Sequence, residues 1–171
     1  MIYRPIPNVH VYGITGYARH GKDTLALSMM AEDLRAERFA FSDAVASYAR
    51  VLGLMGRRDP KVLQGVGWQV RQRNPQAWLD ALYWAIDDRR PPMAIVTGVR
   101  FEDEAQMIRD MGGRMTRVVR TEDTGKPYVD PHRAHDHPVE RQIPHILCDM
   151  EVVAQSGDLD VLRSWAPRVL A

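Results

Sequence analysis

The sequence predicts an α/β protein with a mostly parallel sheet of five strands and helices on both faces. Short apolar segments, beginning near Val9, Phe39, Met93, Arg114 and Cys148, alternate with segments of helical periodicity along the chain. The first apolar segment also passes through a glycine-rich turn directly into a helix. With 171 residues, of which 45% are apolar, the chain can form one core. We therefore expect a single domain over residues 1–171.

Composition and charge argue against several classes of partner. The formal net charge is +1, from 23 basic and 22 acidic residues, so no global field favours nucleic acid or an anionic membrane. Cys148 has no second cysteine to pair with, which fits a reducing compartment. No apolar run is long enough to span a bilayer, and the N-terminal residues lack the apolar core of a signal peptide. A cytoplasmic protein without nucleic-acid or membrane partners is expected.

The first strand, Val9 to Thr15, leads into the strongest motif of the chain. Gly16 and Gly21 enclose four residues and Lys22 follows at once, which matches G-x-x-x-x-G-K between a strand and a helix. Glycines let backbone N–H groups surround a polyphosphate, and the lysine and the helix start supply positive charge. The pattern predicts a phosphate-binding loop, although a chance match at a surface turn is the alternative.

Asp23 follows the lysine, where the pattern has Ser or Thr, and the hydroxyl comes one residue later at Thr24. Because oxygen ligands suit magnesium, we expect Asp23 to bind Mg²⁺ directly or through water and Thr24 to contact the phosphates. The helix that begins at Lys22 is predicted to reach about Arg38.

The next elements bring polar residues to the ends of strands. Phe39 to Phe41 is predicted as a strand, and Ser42 or Asp43 as the cap of a helix over Ala44 to Leu54. Ligands of open α/β sheets bind at strand ends, so Asp43 is a substrate candidate.

A glycine-rich and basic segment runs from Gly53 to Asn74. It is either an anion-binding flap or a solvated basic helix interrupted by glycines, and composition favours the two equally. Asn74 and Pro75 then predict the start of a helix that continues to about Asp88. The aromatic residues of that helix are more typical of a core than of a base-stacking platform.

Met93 to Thr97 is predicted as a buried strand that ends at Gly98. A magnesium-binding aspartate usually closes such a strand, and here the nearest carboxylates are Glu102, Asp103 and Glu104, which weakens the metal site. A helix over Glu102 to Met111 and a strand over Arg114 to Arg120 follow.

Thr121 to Glu140 lacks periodicity and is long for a connection, which predicts a lid that brings Arg120 and Arg133 to a phosphoryl group. The histidines in and after this region could indicate a zinc site, but a structural zinc site usually needs paired cysteines and the chain has one cysteine. The histidines are His132, His135, His137 and His145. The chain ends in a strand over Cys148 to Val153 and a helix from Leu159 to about Leu170, capped by Asp158.

Three motifs in order resemble the phage-type deoxynucleoside monophosphate kinases. They are G-x-x-x-x-G-K-D-T at Gly16 to Thr24, V-R-F-x-x-E-A at Val99 to Ala105, and H-P-x-E at His137 to Glu140. L-Q-G-V-G-W at Leu63 to Trp68 is similar to the monophosphate-binding region of that family. The resemblance implies a P-loop kinase fold with a helical flap at about 43–74 and a lid at about 121–140.

The resemblance also implies an activity and roles for residues. The enzyme would transfer the γ-phosphoryl group of ATP to a deoxynucleoside monophosphate, with Mg²⁺ as cofactor. It would work in the cytoplasm, which is the host cytoplasm if the chain is phage-encoded. Residues implied for ATP are Gly16, Arg19, Gly21, Lys22, Asp23, Thr24 and Leu25, with Asp23 and Thr24 on the metal. Residues implied for the acceptor are Ser42, Asp43, Gly67, Trp68, Arg71, Arg117 and Glu140. Catalytic roles are implied for Lys22, Arg100 and Arg120.

Departures from the family pattern leave alternatives open. The family usually has aspartate at the positions of Gly98 and His135, and serine at the position of Val139. Arg100 could instead form an ion pair with Glu104 at the helix start. Two other readings are a kinase of another small phosphorylated metabolite and a nucleotide-binding regulatory protein that has lost catalysis. A homodimer would be common for an enzyme of this size.

Overall fold

The computed structural model describes residues 3–130 and 138–171, without the side chains of residues 138 and 139. Within these residues five strands form one parallel sheet in the order β2-β3-β1-β4-β5. The strands are β1 His10–Thr15, β2 Ala36–Ala40, β3 Met93–Val99, β4 Arg114–Thr121 and β5 Met150–Gln155. The predicted α/β class and five-stranded sheet are confirmed.

Seven α-helices and one short 3₁₀-helix occur in the described residues. The α-helices are α1 Lys22–Glu32, α2 Phe41–Val51, α3 Pro60–Arg73, α4 Ala77–Arg89, α5 Glu102–Asp110, α6 Pro138–Gln142 and α7 Leu159–Leu170. The 3₁₀-helix covers Ile143–His145. No described helix has both the length and the apolar character needed to cross a bilayer.

Alternation along β3 shows that helices cover both faces of the sheet. Ile95 packs with residues of α1 and α7 on one face, whereas Ala94 and Val96 pack with residues of α4 and α5 on the other. All three side chains are fully buried. A strand covered on both faces must be apolar throughout, which is why the sequence of β3 shows no polar alternation.

The first helix ends earlier than predicted. Asp33 adopts an extended conformation after α1, and its carboxylate accepts hydrogen bonds from the backbone N–H and the side chain of Arg35. This turn lets β2 start at Ala36, so the prediction of helix up to Arg38 was wrong. Side-chain competition of Asp with helical backbone bonds explains the early end.

Two other helix starts differ from the predictions. α2 begins at Phe41, which was predicted to end a strand, and neither Ser42 nor Asp43 caps it because both lie inside its first turn. α4 begins at Ala77 rather than at Pro75, and the Asn74 side chain accepts a hydrogen bond from Gln76 N in the preceding turn. Asp158 caps α7 as predicted, since its carboxylate accepts from Val161 N.

Parallel pairing places the carboxyl ends of the strands at one edge of the sheet. The loop after β1 therefore lies between the ends of β3 and β4, which flank β1 in the sheet. Ligands of open α/β sheets bind in this kind of crevice.

Candidate functional site

The loop from Gly16 to Gly21 has a backbone that requires glycine at both ends. Gly16 has φ 139°, and a Cβ atom there would lie 2.4 Å from the carbonyl oxygen of Val118 in β4. Gly21 has φ 96° and is the N-cap residue of α1. The loop thus packs against β4 and delivers its chain to a helix N-terminus, where backbone N–H groups and the helix dipole attract anions.

The first turn of α1 contains Lys22, Asp23 and Thr24, the residues for which the motif predicts phosphate and metal binding. Lys22 Nζ donates to the carbonyl oxygen of Tyr17, 2.5 Å away, and so reaches back across the loop. Asp23 is exposed and Thr24 is partly exposed in the same turn. Leu25 differs, because its side chain is fully buried in the core and its N–H is bonded to Gly21 O.

One cavity of about 400 Å³ opens beside this turn, and we call it the loop cavity. Its walls come from the Gly16–Gly21 loop, the end of β4 and the segment between β5 and α7. Its lining residues include Arg19, Lys22, Asp23, Thr24, Arg120, Gln155, Gly157 and Asp158. Three of these side chains are cationic, so the cavity can hold a polyanion.

Arg120 is fixed at the mouth of the loop cavity by several contacts. Its guanidinium donates to Ser156 Oγ and to the carbonyl oxygen of Arg19, 3.3 Å away. It also lies 4.0 Å above the centre of the Tyr128 ring. Arg19 has φ 62° and forms an ion pair with the buried carboxylate of Asp130 at 3.3 Å.

His20 lies inside the loop and is 2% exposed. Arg120 N donates to His20 Nδ1 at 3.1 Å, and His20 Nε2 lies 3.0 Å from the carbonyl oxygen of Tyr128. Since a backbone N–H can only donate, Nδ1 must be the acceptor and Nε2 must carry the proton. Burial lowers the pKa of His20, and the charges of Lys22 and Arg120 lower it further, which favours this neutral ring.

A second cavity, of about 360 Å³, lies on the other side of the loop, between α3 and the end of β3. We call it the flap cavity. Its aromatic lining residues are Phe41, Trp68, Trp78 and Phe101, and its cationic ones are Arg58, Arg71 and Arg100. Gly98 and Glu104 also line it.

The helix α3 supplies one wall of the flap cavity through residues at helical spacing. Leu63, Gly67, Trp68 and Arg71 line the cavity, and Gly67 O also accepts a hydrogen bond from Trp78 Nε1 at 3.0 Å. The basic segment is therefore largely a helix, and one of its faces is turned to a cavity. Composition had left two interpretations open, an anion-binding flap and a solvated basic helix interrupted by glycines, and neither described this arrangement in full.

Arg58 ties the start of α2 to the segment before α3. Its guanidinium donates to Ser42 Oγ and, at 2.8 Å, to Asp43 Oδ1. Asp43 also faces Arg38 at 3.5 Å. Ser42 lines the flap cavity, whereas Asp43 is held by these two arginines and does not belong to the lining described here.

The partly exposed Arg71 and the buried Glu104 form a polar cluster in the lining of the flap cavity. Arg71 pairs with Asp103, its Nη1 lies 3.6 Å from Glu104 Oε1, and its guanidinium carbon is 3.9 Å from the Phe101 ring centre. Glu104 accepts from Arg100 N at 2.7 Å and from Phe101 N at 3.2 Å. Burial is the main reason that the pKa of Glu104 is raised to about 7.

Arg100 and Arg117 have different surroundings. Arg100 lines the flap cavity, and its guanidinium pairs with Glu140, which is 3% exposed. The alternative expectation was an ion pair between Arg100 and Glu104. The structure shows instead that Glu104 accepts a hydrogen bond from the backbone N–H of Arg100. Arg117 instead donates to the carbonyl oxygens of Pro144 and Ile146 and lies 3.6 Å from Glu151. It lies outside both described cavities and stabilises the chain after α6.

No protein-family model and no curated protein matches the chain. Solved structures do match. Shikimate kinase from Aquifex aeolicus aligns with a TM-score of 0.50 and 13% identity, over 94% of this chain and 95% of that chain. A "putative kinase" from Chloroflexus aurantiacus aligns with a TM-score of 0.53 and 14% identity, over 95% and 96%. The chain has the P-loop kinase fold.

The lid position of this P-loop kinase fold is only partly described. Residues 121–130 form a turn in which Thr121 pairs with Pro127 and Glu122 N donates to Lys126 O. The predictions for Arg133, His132, His135 and His137 fall outside the described residues, as does the side chain of Val139. The lid motif is represented by Glu140 through its pair with Arg100.

The magnesium prediction rests on few protein oxygens. Among the described residues no three His, Cys, Asp or Glu side chains cluster as metal ligands. Binding of Mg²⁺ does not require such a cluster, because the ion is commonly held by one or two side chains together with phosphates and water. The Asp23 carboxylate beside the Thr24 hydroxyl suits this mode.

Sequence reasoning missed three residues in and around the candidate site. His20 was read only as a variable loop position, Arg58 only as one charge of a basic segment, and Asp130 only as part of the lid. The sequence did offer one signal for His20, because an imidazole ring stands there between the flexible Arg19 and the small Gly21. Nothing in the spacing indicated that Arg58 would reach Ser42 and Asp43, sixteen and fifteen residues earlier.

Proposed function

We propose that the chain is an ATP-dependent small-molecule kinase whose acceptor is a deoxynucleoside 5′-monophosphate, with dNDP and ADP as products. The observation that carries this proposal is a pair of cavities on the two sides of one phosphate-binding loop. A transferase needs room for donor and acceptor with the transferring group between them. The fold shared with kinases supports phosphoryl transfer.

ATP would occupy the loop cavity. The loop amides and the N-terminus of α1 would receive its phosphates, and Lys22, Arg19 and Arg120 would balance their charge. A bound Mg²⁺ would neutralise charge on the phosphate oxygens, with Asp23 and Thr24 as its protein ligands. Gly16 supports this fit, since any larger residue would move the loop away from β4.

The acceptor would occupy the flap cavity. Trp68 offers an aromatic surface for a base, and Ser42 and Gly67 lie in the same lining. Arg71 and Arg100 are cations that a phosphate can attract, although each is paired with a carboxylate here. An incoming phosphate would compete with Asp103 and Glu140 for these arginines, so acceptor binding would rearrange the two ion pairs.

The proposed reaction needs no covalent intermediate. An oxygen of the acceptor phosphate attacks the γ-phosphorus of ATP, and the bond between that phosphorus and the oxygen bridging to the β-phosphate breaks. The electron pair leaves with ADP. Lys22, Arg100 and Arg120 would stabilise negative charge during this transfer, and positioning with charge neutralisation would suffice for catalysis.

The proposal is tested by measuring ADP and diphosphate formation with ATP, Mg²⁺ and each common deoxynucleoside and nucleoside monophosphate. We expect turnover with at least one acceptor, and Lys22→Ala should lower kcat by at least about 100-fold because it removes charge from the transferring group. Arg163→Ala is the matched control, since Arg163 is an exposed cation of α7 paired with Asp160.

The outcomes separate the competing functions. Turnover with no monophosphate but with another small phosphorylated metabolite would keep the kinase and change the acceptor. Tight ATP binding by folded protein without any turnover would favour a regulatory nucleotide-binding protein. Equal kcat values for the wild type and Lys22→Ala would contradict the proposed role of the loop.

A further inference from the structure

The side chain of His20 joins two parts of the loop cavity that are 100 residues apart in sequence. One ring nitrogen accepts from the backbone of Arg120 at the end of β4, and the other donates to the backbone of Tyr128. The ring also contacts both flanking aromatic residues, with centre distances of 5.4 Å to Tyr17 and 6.2 Å to Tyr128. Each polar atom of the ring is therefore used.

These contacts determine where the Arg120 guanidinium lies. The N–H of Arg120 is held by the ring of His20, and its side chain stacks on Tyr128, whose carbonyl oxygen is held by the same ring. The loop carbonyl of Arg19 accepts from that guanidinium. A displacement of the ring would thus shift Arg120 relative to the loop that carries Lys22.

We propose that His20 is a positioning residue that keeps Arg120 and the phosphate-binding loop at a fixed separation, so that both reach the phosphates of one nucleotide. The inference rests on the proposed function in one respect, namely that the loop cavity binds ATP. It does not depend on the identity of the acceptor. His20 itself is buried and acts through Arg120 rather than by touching the nucleotide.

The first test compares His20→Leu with His20→Asn by calorimetry with a non-hydrolysable ATP analogue and Mg²⁺. Leucine fills similar space without hydrogen bonds, and we expect about tenfold weaker binding, the equivalent of one or two lost hydrogen bonds. The asparagine carbonyl can replace Nδ1 as the acceptor for Arg120 N, so His20→Asn should recover most of the affinity. His10→Leu, at an exposed position of β1, is the control.

The second test asks whether His20 acts through Arg120. In a double-mutant cycle, His20→Leu should weaken analogue binding much less when Arg120 is already alanine, because the guanidinium that it positions is gone. Independent effects of the two substitutions would overturn the proposal. So would a His20→Leu variant that binds as tightly as the wild type, or a folded His20→Asn variant that binds no better than His20→Leu.

A spectroscopic test applies even if a variant does not fold. ¹⁵N-resolved NMR of the wild-type imidazole should show one protonated and one unprotonated ring nitrogen at neutral pH, with the proton on Nε2. A ring protonated on Nδ1 would overturn the proposal. Analogue binding that responds to His20 as expected, without transfer to any monophosphate, would refute the proposed function and retain this inference; a wild type that does not bind ATP would refute both.

Discussion

Glu104 shows how surroundings change the chemistry of a single residue. The sequence predicts only a carboxylate near the end of β3, and the structure buries that group to 4% exposure beside Arg71. Two backbone N–H groups donate to one of its oxygens, yet burial dominates and raises its pKa to about 7. The charged form is therefore disfavoured by the fold.

Replacement of Glu104 by glutamine should change how stability depends on pH. The folded-state pKa lies above the ordinary value of 4.5, so the folded protein binds more protons than the unfolded chain between about pH 4.5 and 7. The wild type should lose stability relative to Glu104→Gln as pH rises through this window, by on the order of 1–3 kcal/mol. Urea denaturation at several pH values measures the difference.

The control for this experiment is Glu32→Gln, at an exposed position of α1. Water solvates that carboxylate in both states, so we expect little change in stability. A difference between wild type and Glu104→Gln that stays constant from pH 4.5 to 7 would contradict the raised pKa.

At the scale of the element, α3 is the part of the chain whose sequence was hardest to interpret. Its two glycines were counted as points of backbone freedom, but both Gly65 and Gly67 lie within a continuous helix. None of its residues is fully buried, which explains why hydrophobic periodicity gave no clear signal. Asp59 caps the helix by accepting from Lys61 N, and Pro60 is its first residue.

Gly65→Ala should therefore stabilise the protein by about 0.5–1 kcal/mol, because alanine lowers the entropy cost of helix formation. A Cβ atom at Gly65 meets no atom within 4 Å, so nothing in the described residues opposes it. Chemical denaturation gives the change in unfolding free energy.

Gly67→Ala is the matched substitution in the same helix. Its Cβ would make ordinary contact with Val45 at 3.6 Å and would enter the lining of the flap cavity. We expect a change in acceptor KM for Gly67→Ala and none for Gly65→Ala. A destabilised Gly65→Ala variant would argue against the helical conformation of α3.

At the scale of the whole molecule, the parallel sheet brings distant segments to one edge. The loop after β1, the end of β3 and the end of β4 become neighbours there because β3 and β4 flank β1. The two cavities consequently open near the same edge of the sheet, one lined by the Gly16–Gly21 loop and the end of β4 and the other by α3 and the end of β3. This arrangement supports the proposed function more directly than any single residue does.

A compound that joins two nucleosides through five phosphates should test this arrangement, if the proposed function holds. One nucleoside would be adenosine and the other a deoxynucleoside accepted in the product assay. Since one molecule would fill both cavities, we expect at least about tenfold tighter binding than for ATP. Calorimetry with Mg²⁺ measures both affinities.

The control ligand is ATP with a separate acceptor analogue, and Lys22→Ala should weaken binding of the linked compound. Affinity equal to that of ATP alone would mean that the two cavities are not bridged through the loop.

The sequence by itself determined the fold class, the glycine loop between β1 and α1, and most strands. These follow from local properties, because an apolar strand, two glycines and a helix start at fixed spacing leave few conformations for the chain. The early end of α1 at Asp33 was missed because a side chain competed with the helix for backbone hydrogen bonds. Single-domain organisation, a homodimer and the residue roles stay predictions.

Only the tertiary structure decided which side chains meet. His20 with Arg120, Arg58 with Asp43, and Arg100 with Glu140 are pairs from separate segments, and no spacing rule relates them. Likewise, Arg117 contacts the chain after α6, and Glu104 is buried. Such contacts depend on strand order and helix packing, which arise from the burial of apolar surface over the whole chain and not from any one motif.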